Sequence, residues 1–256
     1  MREIRVSVSK LPPPGSEVEL SPEEAHHVRD VLRLKPGASI VLLDGAGGKA
    51  PALVCSVTKQ RVSVRVFTCE AAAPRALPVT LAVALIKRGF EDVVRQAVEI
   101  GIERIVPLVT ERCVPGLKLK RERCLRVARE AAKQSGNVLL PVLENPVDLR
   151  LFASRFQGLG RARCLLAAQP GAPLELLQAA LQAEPPFAIV IGPEGGLTEA
   201  ELERLLEAGF KPAALGETVL RTETAACAAA ALLASVCRLK AVRGGASGAE
   251  DSESAR

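Results

Sequence analysis

The densest set of residues able to do chemistry lies in the run 187–209, FAIVIGPEGGLTEAELERLLEAG. An apolar strand ends at Ile191, and Gly192-Pro193-Glu194-Gly195-Gly196 follows as a tight loop. Thr198 then stands as a helix N-cap, with Glu201 three residues on to close a capping box and Gly209 to mark the helix end. A glycine loop between the carboxyl end of a strand and the amino end of a helix is where open α/β sheets bind ligands, since the backbone amides there are unpaired and can be approached closely. The loop lacks the G-x-G-x-x-G spacing of a dinucleotide fingerprint, and no Gly-Lys-Ser/Thr follows as in a phosphate-binding P-loop. On spacing alone it is either a binding loop or a structural turn. The second run is 215–224, LGETVLRTET, which leads into AACAAAALLASVCRL. Here Arg221 precedes a helix spanning about Thr222 to Leu239, where a cation opposes the helix dipole. Read plainly, it is a surface arginine. Its unfavourable place also points to a task involving an anion or an oxygen.

Other chemistry is thinner. Seven cysteines (Cys55, Cys69, Cys113, Cys124, Cys164, Cys227, Cys237) form no C-x-x-C pair, so they read as reduced thiols, mostly small buried apolar groups. His26 and His27 have no Cys or His companions at ligand spacing, and no metal is expected. From Arg112 to Lys133 eight basic residues face two acids, an excess larger than the net +5 of the whole 256-residue chain. That stretch is either a solvated helix face or a surface that follows phosphates; if helical, it puts Arg126, Arg129 and Lys133 on one side. Aromatic residues make up 2%, with six Phe, no Tyr and no Trp, which excludes a base-stacking platform or an aromatic cage. The N-terminus MREIRVSV carries no signal-peptide run, and the chain is expected to be cytoplasmic. The apolar segment after Thr222 is short for a membrane span and interrupted by Ser235 and Arg238.

The elements that must position these residues fall into two parts. In residues 1–72 a strand at 4–8 precedes a helix that starts at Ser21-Pro22-Glu23-Glu24, with a capping box, and stops at Lys35. Strands at 39–43, 51–57 and 62–67 follow, giving a small β-barrel-like unit, and 71–75 reads as a linker. Over 76–242 short apolar strands at 79–86, 104–109, 163–168 and 187–191 alternate with helices, the signature of an α/β domain with a mostly parallel sheet. One helix there, beginning at Phe90, presents Phe90, Val93, Val94, Ala97 and Val98 on a single face and ends at Gly101. Residues 243–256 read as a disordered Gly/Ser/acidic tail.

The pieces IGPEGGLTEAELE (191–203), LGETVLRTETAACAA (215–229), AVEIGIERIVPLVTERCV (97–114), EAAKQSGNVLLPVLENP (130–146) and HHVRDVLRLKPGASIVLLDGAGG (26–48) together resemble the SPOUT methyltransferases. Within them the chain resembles the ribosomal RNA small subunit methyltransferase E family, which methylates uridine N3 in 16S rRNA. It departs from that pattern at Asn137, where the family has arginine, and at Cys113, where Ser is usual. The resemblance implies a PUA-like RNA-binding β-barrel domain over 1–72 and a SPOUT domain with a deep trefoil knot over 76–242. It implies a homodimer without membrane or metal, acting on 16S rRNA or the small ribosomal subunit. S-adenosylmethionine would be held by Ala168, Gln169, Gly192, Pro193, Glu194, Gly195, Gly196, Leu215, Gly216, Val219, Leu220 and Thr222. Arg221 would stabilise charge spreading onto uracil O2 and O4 as the N3 proton leaves. Glu194 or Glu223 would accept that proton or orient the base, or else only steady the loop and the helix start. RNA would be gripped by Arg2, Arg5, Arg29, Arg33, Lys87, Arg88, Arg112, Arg126, Arg129 and Lys133, and a turned-out uracil would find Phe90 as its nearest ring. A related enzyme acting on another nucleotide, or a non-catalytic ribosome-assembly factor, stays open beside this reading.

Overall fold

The computed structural model of the chain describes residues 3–71, 77–157, 164–167, 172 and 175–250, of which 71, 164–167 and 243–250 are described through their backbone. Arg2, the stretch 72–75 read as linker, the loop residues Ala168, Gln169 and Pro170, and positions 251–256 lie outside the described residues. The chain divides into two compact units, residues 1–75 with 126–140, and residues 76–125 with 141–256.

The first unit contains β1 (Arg5–Ser7), β2 (Glu17–Glu19), α1 (Pro22–His26), β3 (Ser39–Leu43), β4 (Gly48–Val57), β5 (Val62–Val66) and β6 (Glu70–Ala71). Among the described residues its sheet runs β1-β3-β4-β5-β2, with β6 on β4. The β1–β3 pair is parallel and the others are antiparallel. Period-2 alternation sends Ile40, Leu42, Ala50, Ala52, Val54, Val62, Val64 and Val66 into one core, where they meet Val6, Ala25 and Val28. The two- and three-residue strands β6 and β2 are too short to show such a period, and sequence alone does not reveal them.

The helix of this unit is shorter than its sequence suggests. Ser21 caps it as expected, accepting a bond from the Glu24 amide, but the α-helix yields after His26 to a π-helical turn over His27–Val31. Glu24 does not close the capping box. Its side chain is turned into the protein, where Oε1 accepts from Lys133 Nζ at 2.8 Å. Lys133, the expected RNA-facing cation, is 7% exposed and also pairs with Glu130 at 2.6 Å. Burial pulls its pKa down, but the hydrogen bonds to Glu130 and Glu24 outweigh that and raise it, so Lys133 is charged and occupied internally. Around this pair, Arg5 donates to the carbonyls of Lys133 and Gln134, Gly47 N to Val138 O at 2.9 Å, and Leu140 N to Gly45 O at 2.9 Å. Asn137, the departure from the family pattern, accepts the Leu139 amide on its side-chain oxygen at 3.0 Å and so holds the local turn.

The second unit contains β7 (Leu77–Ala84), α2 (Phe90–Ile100), β8 (Ile102–Val109), the first residues of α3 (Arg121–Ser135), β9 (Val142–Leu143), β10 (Val147–Asp148) and α4 (Leu149–Ser154). It continues with β11 (Cys164–Ala167), α5 (Leu176–Gln182), β12 (Phe187–Ile191), α6 (Glu199–Glu207), β13 (Lys211–Ala213) and α7 (Thr222–Glu250). Among the described residues the sheet order is β10-β8-β7-β12-β11-β13, with β9 on β8, and its pairs are parallel. The α2 face read from the sequence, Phe90, Val93, Val94, Ala97 and Val98, is the buried one, and Gly101 ends the helix in the left-handed region. Phe90 is only 4% exposed, so it belongs to the core and offers no ring to a nucleobase.

Cys124 is also buried, and burial together with the nearby Glu91 charge pushes its thiol up to about 11, so it packs as a neutral group. Cys69, by contrast, is exposed. The helix α7 is long and apolar enough to cross a membrane, yet it packs on β7, α2, α5 and β12 through Ala226, Ala229, Ala230, Leu233 and Ala234. Its backbone continues through positions 243–250, which the sequence reading gives to a disordered tail. Extending a nucleated helix fixes few new dihedrals per bond, and Gly244-Gly245 do not stop it.

The Glu24–Lys133 pair sets a stability test. Lys133→Met leaves a buried carboxylate without its cation and is expected to lower unfolding free energy by about 3–5 kcal/mol. The double variant Glu24→Leu/Lys133→Met is expected to recover most of that. Because the lysine pKa is raised on folding, its contribution is complete at neutral pH and disappears only as pH rises through the folded value, above the ordinary 10.5. Equilibrium denaturation of the three proteins, repeated in alkali, measures both effects.

Candidate active site

A parallel sheet brings the carboxyl ends of its strands to one edge, and the connections leaving β7, β8, β12 and β13 are therefore neighbours there. The glycine loop leaves β12 at this edge. Pro193 is buried, while Glu194 and Gly195 are exposed. The Gly196 amide donates back to Pro193 O at 2.8 Å, closing a turn that needs Gly196 at φ 72°, a region side chains strain to enter. The helix after the loop is capped as read from sequence. Thr198 Oγ1 accepts from the Glu201 amide at 3.3 Å, and Glu201 Oε2 accepts from the Thr198 amide at 2.9 Å.

Three further bonds fasten this loop from outside. Thr222 Oγ1, at the start of α7, donates to Gly192 O at 3.0 Å. Arg112 Nη1, from the connection after β8, donates to Gly195 O at 2.7 Å. Glu201 Oε1, left over from the capping box, accepts the Glu111 amide at 2.8 Å, with Glu201 3% exposed. Gly195 faces the Arg112 stem. A Cβ there would sit 3.5 Å from Arg112 Cβ and 3.6 Å from Arg112 Cδ, so the arginine stem lies along the loop backbone.

The same connection lines a cavity of about 270 Å³ with Leu85, Thr110, Glu111, Cys113 and Leu117. The Cys113 thiol donates to Leu85 O at 3.3 Å and stands 3.2 Å from Thr110 Oγ1, the kind of contact a Ser hydroxyl would make.

The remaining sequence-predicted residues divide sharply. Leu215, Gly216 and Leu220 are half-buried in the segment between β13 and α7, whereas Val219 is 77% exposed. Arg221 is exposed, its carbonyl accepts the Ala225 amide that opens α7, and no described residue holds its guanidinium. Glu194 is exposed and free to meet a ligand. Glu223 is half-buried beside Gly89, with its Cδ 3.6 Å from where a Gly89 Cβ would lie. Gly89 is the N-cap of α2 and supplies no side-chain cap, so the Glu223 charge sits at the positive end of that helix. Glu223 also stands in the first turn of α7, its own helix, as the sequence leads one to expect.

Among the cations, Lys87 and Arg88 are exposed in the connection before α2. In the first unit, Arg126 is exposed and Arg129 lines a cavity of about 830 Å³ with Lys10, Ser21, Glu19 and Glu23. Arg33 is exposed at φ 53°, and Arg29 is held by Asp30 at 2.6 Å and by Lys59 O at 2.7 Å. Arg5 is engaged with Glu3 and the Lys133 carbonyl. Among the described residues no cluster of His, Cys, Asp and Glu could hold a metal ion.

The second job of Glu201 and the bond from Arg112 to the loop are absent from the sequence reading. Their partners lie 90 and 83 residues away, and no local pattern encodes such a distance.

Comparison with known proteins places this geometry. Residues 73–234 match the model of the RNA methyltransferase domain, and residues 20–67 that of the RNA methyltransferase PUA domain. A Synechocystis protein named ribosomal RNA small subunit methyltransferase E is 35% identical over 213 residues, covering 81% of this chain and 69% of its own. The Bacillus subtilis protein of the same name is 32% identical, covering 79% and 84%. Among solved structures, a Legionella pneumophila methyltransferase with bound cofactor SAM superposes with a TM-score of 0.80 at 32% identity, over 91% of this chain and 97% of that one. The Neisseria gonorrhoeae ribosomal RNA small subunit methyltransferase E bound to S-adenosyl methionine gives 0.75 at 26%, over 90% and 96%. The glycine loop, its capped helix and the α7 start thus stand in a chain that belongs to the ribosomal RNA small subunit methyltransferase E family of RNA methyltransferases.

Proposed function

We propose that this protein is an S-adenosylmethionine-dependent methyltransferase of small-subunit ribosomal RNA that acts in the cytoplasm and modifies N3 of one uridine in 16S rRNA. The observation that carries the reading is the Gly192–Gly196 loop, fastened at the carboxyl edge of the parallel sheet against the first residue of α7. The residues fit the cofactor. The glycines of the loop carry no side chains, so a purine and ribose can approach its backbone closely, and half-buried Leu215 and Leu220 offer apolar walls. With them go Pro193, Glu194, Gly195, Gly216, Val219 and Thr222, together with Ala168 and Gln169.

When bound, S-adenosylmethionine supplies an electrophilic methyl on a sulfonium, so the protein's own task is mostly positioning. Arg221, exposed and without a partner among the described residues, meets the negative charge that spreads onto O2 and O4 as the N3–H bond is lost. Glu194, exposed on the loop, accepts the N3 proton at its carboxylate. Glu223 steadies the amino end of α2, which supports a positioning role for it.

Phosphates are followed by exposed Lys87, Arg88 and Arg126, with Arg2, Arg5, Arg29, Arg33 and Arg129 adding charge from the first unit. In this reading residues 1–72 form a PUA-like RNA-binding barrel, and 76–242 form a SPOUT domain in which the α7 segment is threaded as a trefoil knot and buried in a homodimer. No membrane or metal takes part.

Three outcomes check the proposal. Purified protein with S-adenosylmethionine is expected to methylate one uridine of 16S rRNA in small subunits from a strain lacking it. Mass mapping that finds the methyl on a ribose, on another base, or nowhere removes the uridine-N3 assignment. Arg221→Ala is expected to lower kcat by about 10²–10³-fold while calorimetry finds cofactor affinity within about threefold; retained turnover removes its role. Gly195→Val is expected to weaken S-adenosylmethionine binding by at least tenfold, because a branched side chain on the exposed middle of the loop bars a ligand from its backbone. Unchanged affinity rules out the loop as the cofactor site.

A further inference from the structure

We infer that Arg112 is a positioning residue of the cofactor loop, and that the connection 110–117 sets the shape of that loop from the neighbouring strand. The inference rests on the reading that Gly192–Gly196 binds S-adenosylmethionine, and it assigns Arg112 away from the RNA phosphates for which its charge first suggests it.

The geometry is specific. A five-residue loop between a strand and a helix has its ends fixed by those elements, but its middle is free to move. Here the middle is Glu194-Gly195, both exposed. Turn closure by Gly196 N on Pro193 O fixes the far side, and Thr222 on Gly192 O fixes the near side. Neither bond reaches the Gly195 carbonyl. Arg112 does, at 2.7 Å, a short bond with a charged donor, the stronger class of hydrogen bond. Its stem passes where a side chain on Gly195 would make ordinary contact, so bond and stem face the same peptide.

Arg112 is itself anchored. The amide of the preceding residue, Glu111, is held at 2.8 Å by Glu201 Oε1, and that carboxylate belongs to the capping box of the helix that follows the loop. The chain thus forms a closed ring of contacts: loop, helix cap, Glu111, Arg112, and back to the loop. Cys113 continues the anchorage by donating to Leu85 O. The ring orients the Gly195 peptide. With its carbonyl turned to Arg112, the amide of the same residue plane, that of Gly196, is committed to the turn, and the loop surface left for a ligand is set before the ligand arrives. Preorganisation of this kind appears in affinity, because an unfastened loop must be ordered on binding.

The test separates a bond to the loop from a contact with RNA phosphate. Arg112→Met keeps the stem and removes the donor, while Arg112→Lys keeps an N–H donor of nearly the same reach. By calorimetry, Arg112→Met is expected to weaken S-adenosylmethionine binding about tenfold, the loss that follows from one charged hydrogen bond to a carbonyl. Arg112→Lys is expected to stay within about threefold of the parent. RNA affinity at saturating cofactor, and its dependence on salt, are expected to match the parent in both.

The opposite pattern overturns the inference: cofactor affinity unchanged in Arg112→Met, with RNA binding weakened and the salt slope reduced by about one in that variant, is the behaviour of a phosphate ligand. Equal loss of cofactor affinity in Arg112→Met and Arg112→Lys also overturns it, since the donor would then not matter. Gly195→Val, measured alongside, keeps the two readings apart. If it weakens cofactor binding while Arg112→Met does not, only the positioning role fails; if it too leaves affinity unchanged, the loop is not the cofactor site and both readings fail.

Discussion

The parallel register of β7, β8 and β12 is the constraint from which the rest of the second unit follows. Val83 lies beside Ile191 and Pro107, and Ala84 beside Leu108, so these strands end level with one another. The strands are buried along most of their length, β12 throughout, and cannot slip without exposing their neighbours. Level ends place the connections from distant parts of the sequence side by side. Arg112 meets Gly195, Glu111 meets Glu201 and Thr222 meets Gly192 because of that register. The site is in this sense a property of the sheet edge, and the individual loops only decorate it.

How much of this was readable in advance depended on distance along the chain. Local patterns carried well. The α2 face, the Thr198–Glu201 capping box, the Gly101 and Gly209 helix ends and the β12 strand all rest on periods of two to four residues, and each appears where its pattern predicts. The family resemblance, resting on segments such as IGPEGG and LRTETA, extended the reading to fold and activity. What failed was local evidence about non-local commitments. Glu24 carries the right spacing for a capping box, yet a buried lysine more than a hundred residues away claims its carboxylate. The sequence puts Lys133 beside Arg126 and Arg129 on one side of a basic helix, and the fold turns it inward instead. A charged residue in a sequence declares its charge and not its partner.

Aromatic poverty sharpens the same point. Phe152, Phe156 and Phe210 gather in one cluster with ring centroids 5.1–6.1 Å apart. Phe90 and Phe187 are core residues of the same unit, and Phe67 is 54% exposed. Most of the chain's ring surface therefore goes into the interior, and little of it is left for stacking on a base.

The buried Glu24–Lys133 pair has a consequence for how the chain is made. Residues 126–140 complete the first unit, yet ribosomal synthesis delivers them only after β7, α2 and β8 of the second have emerged. The amino-terminal sheet therefore exists for a time with Glu24 unpaired and with the Gly45 and Gly47 backbone groups waiting for Leu140 and Val138. Solvation of a carboxylate is strongly favoured over burial without a counter-charge, so the buried place of Glu24 is costly until Lys133 arrives. The two units are thus not beads folded in turn. The amino-terminal one matures late, its last helix borrowed from the middle of the message, and a fragment ending near residue 75 lacks the cation that lets its own helix close.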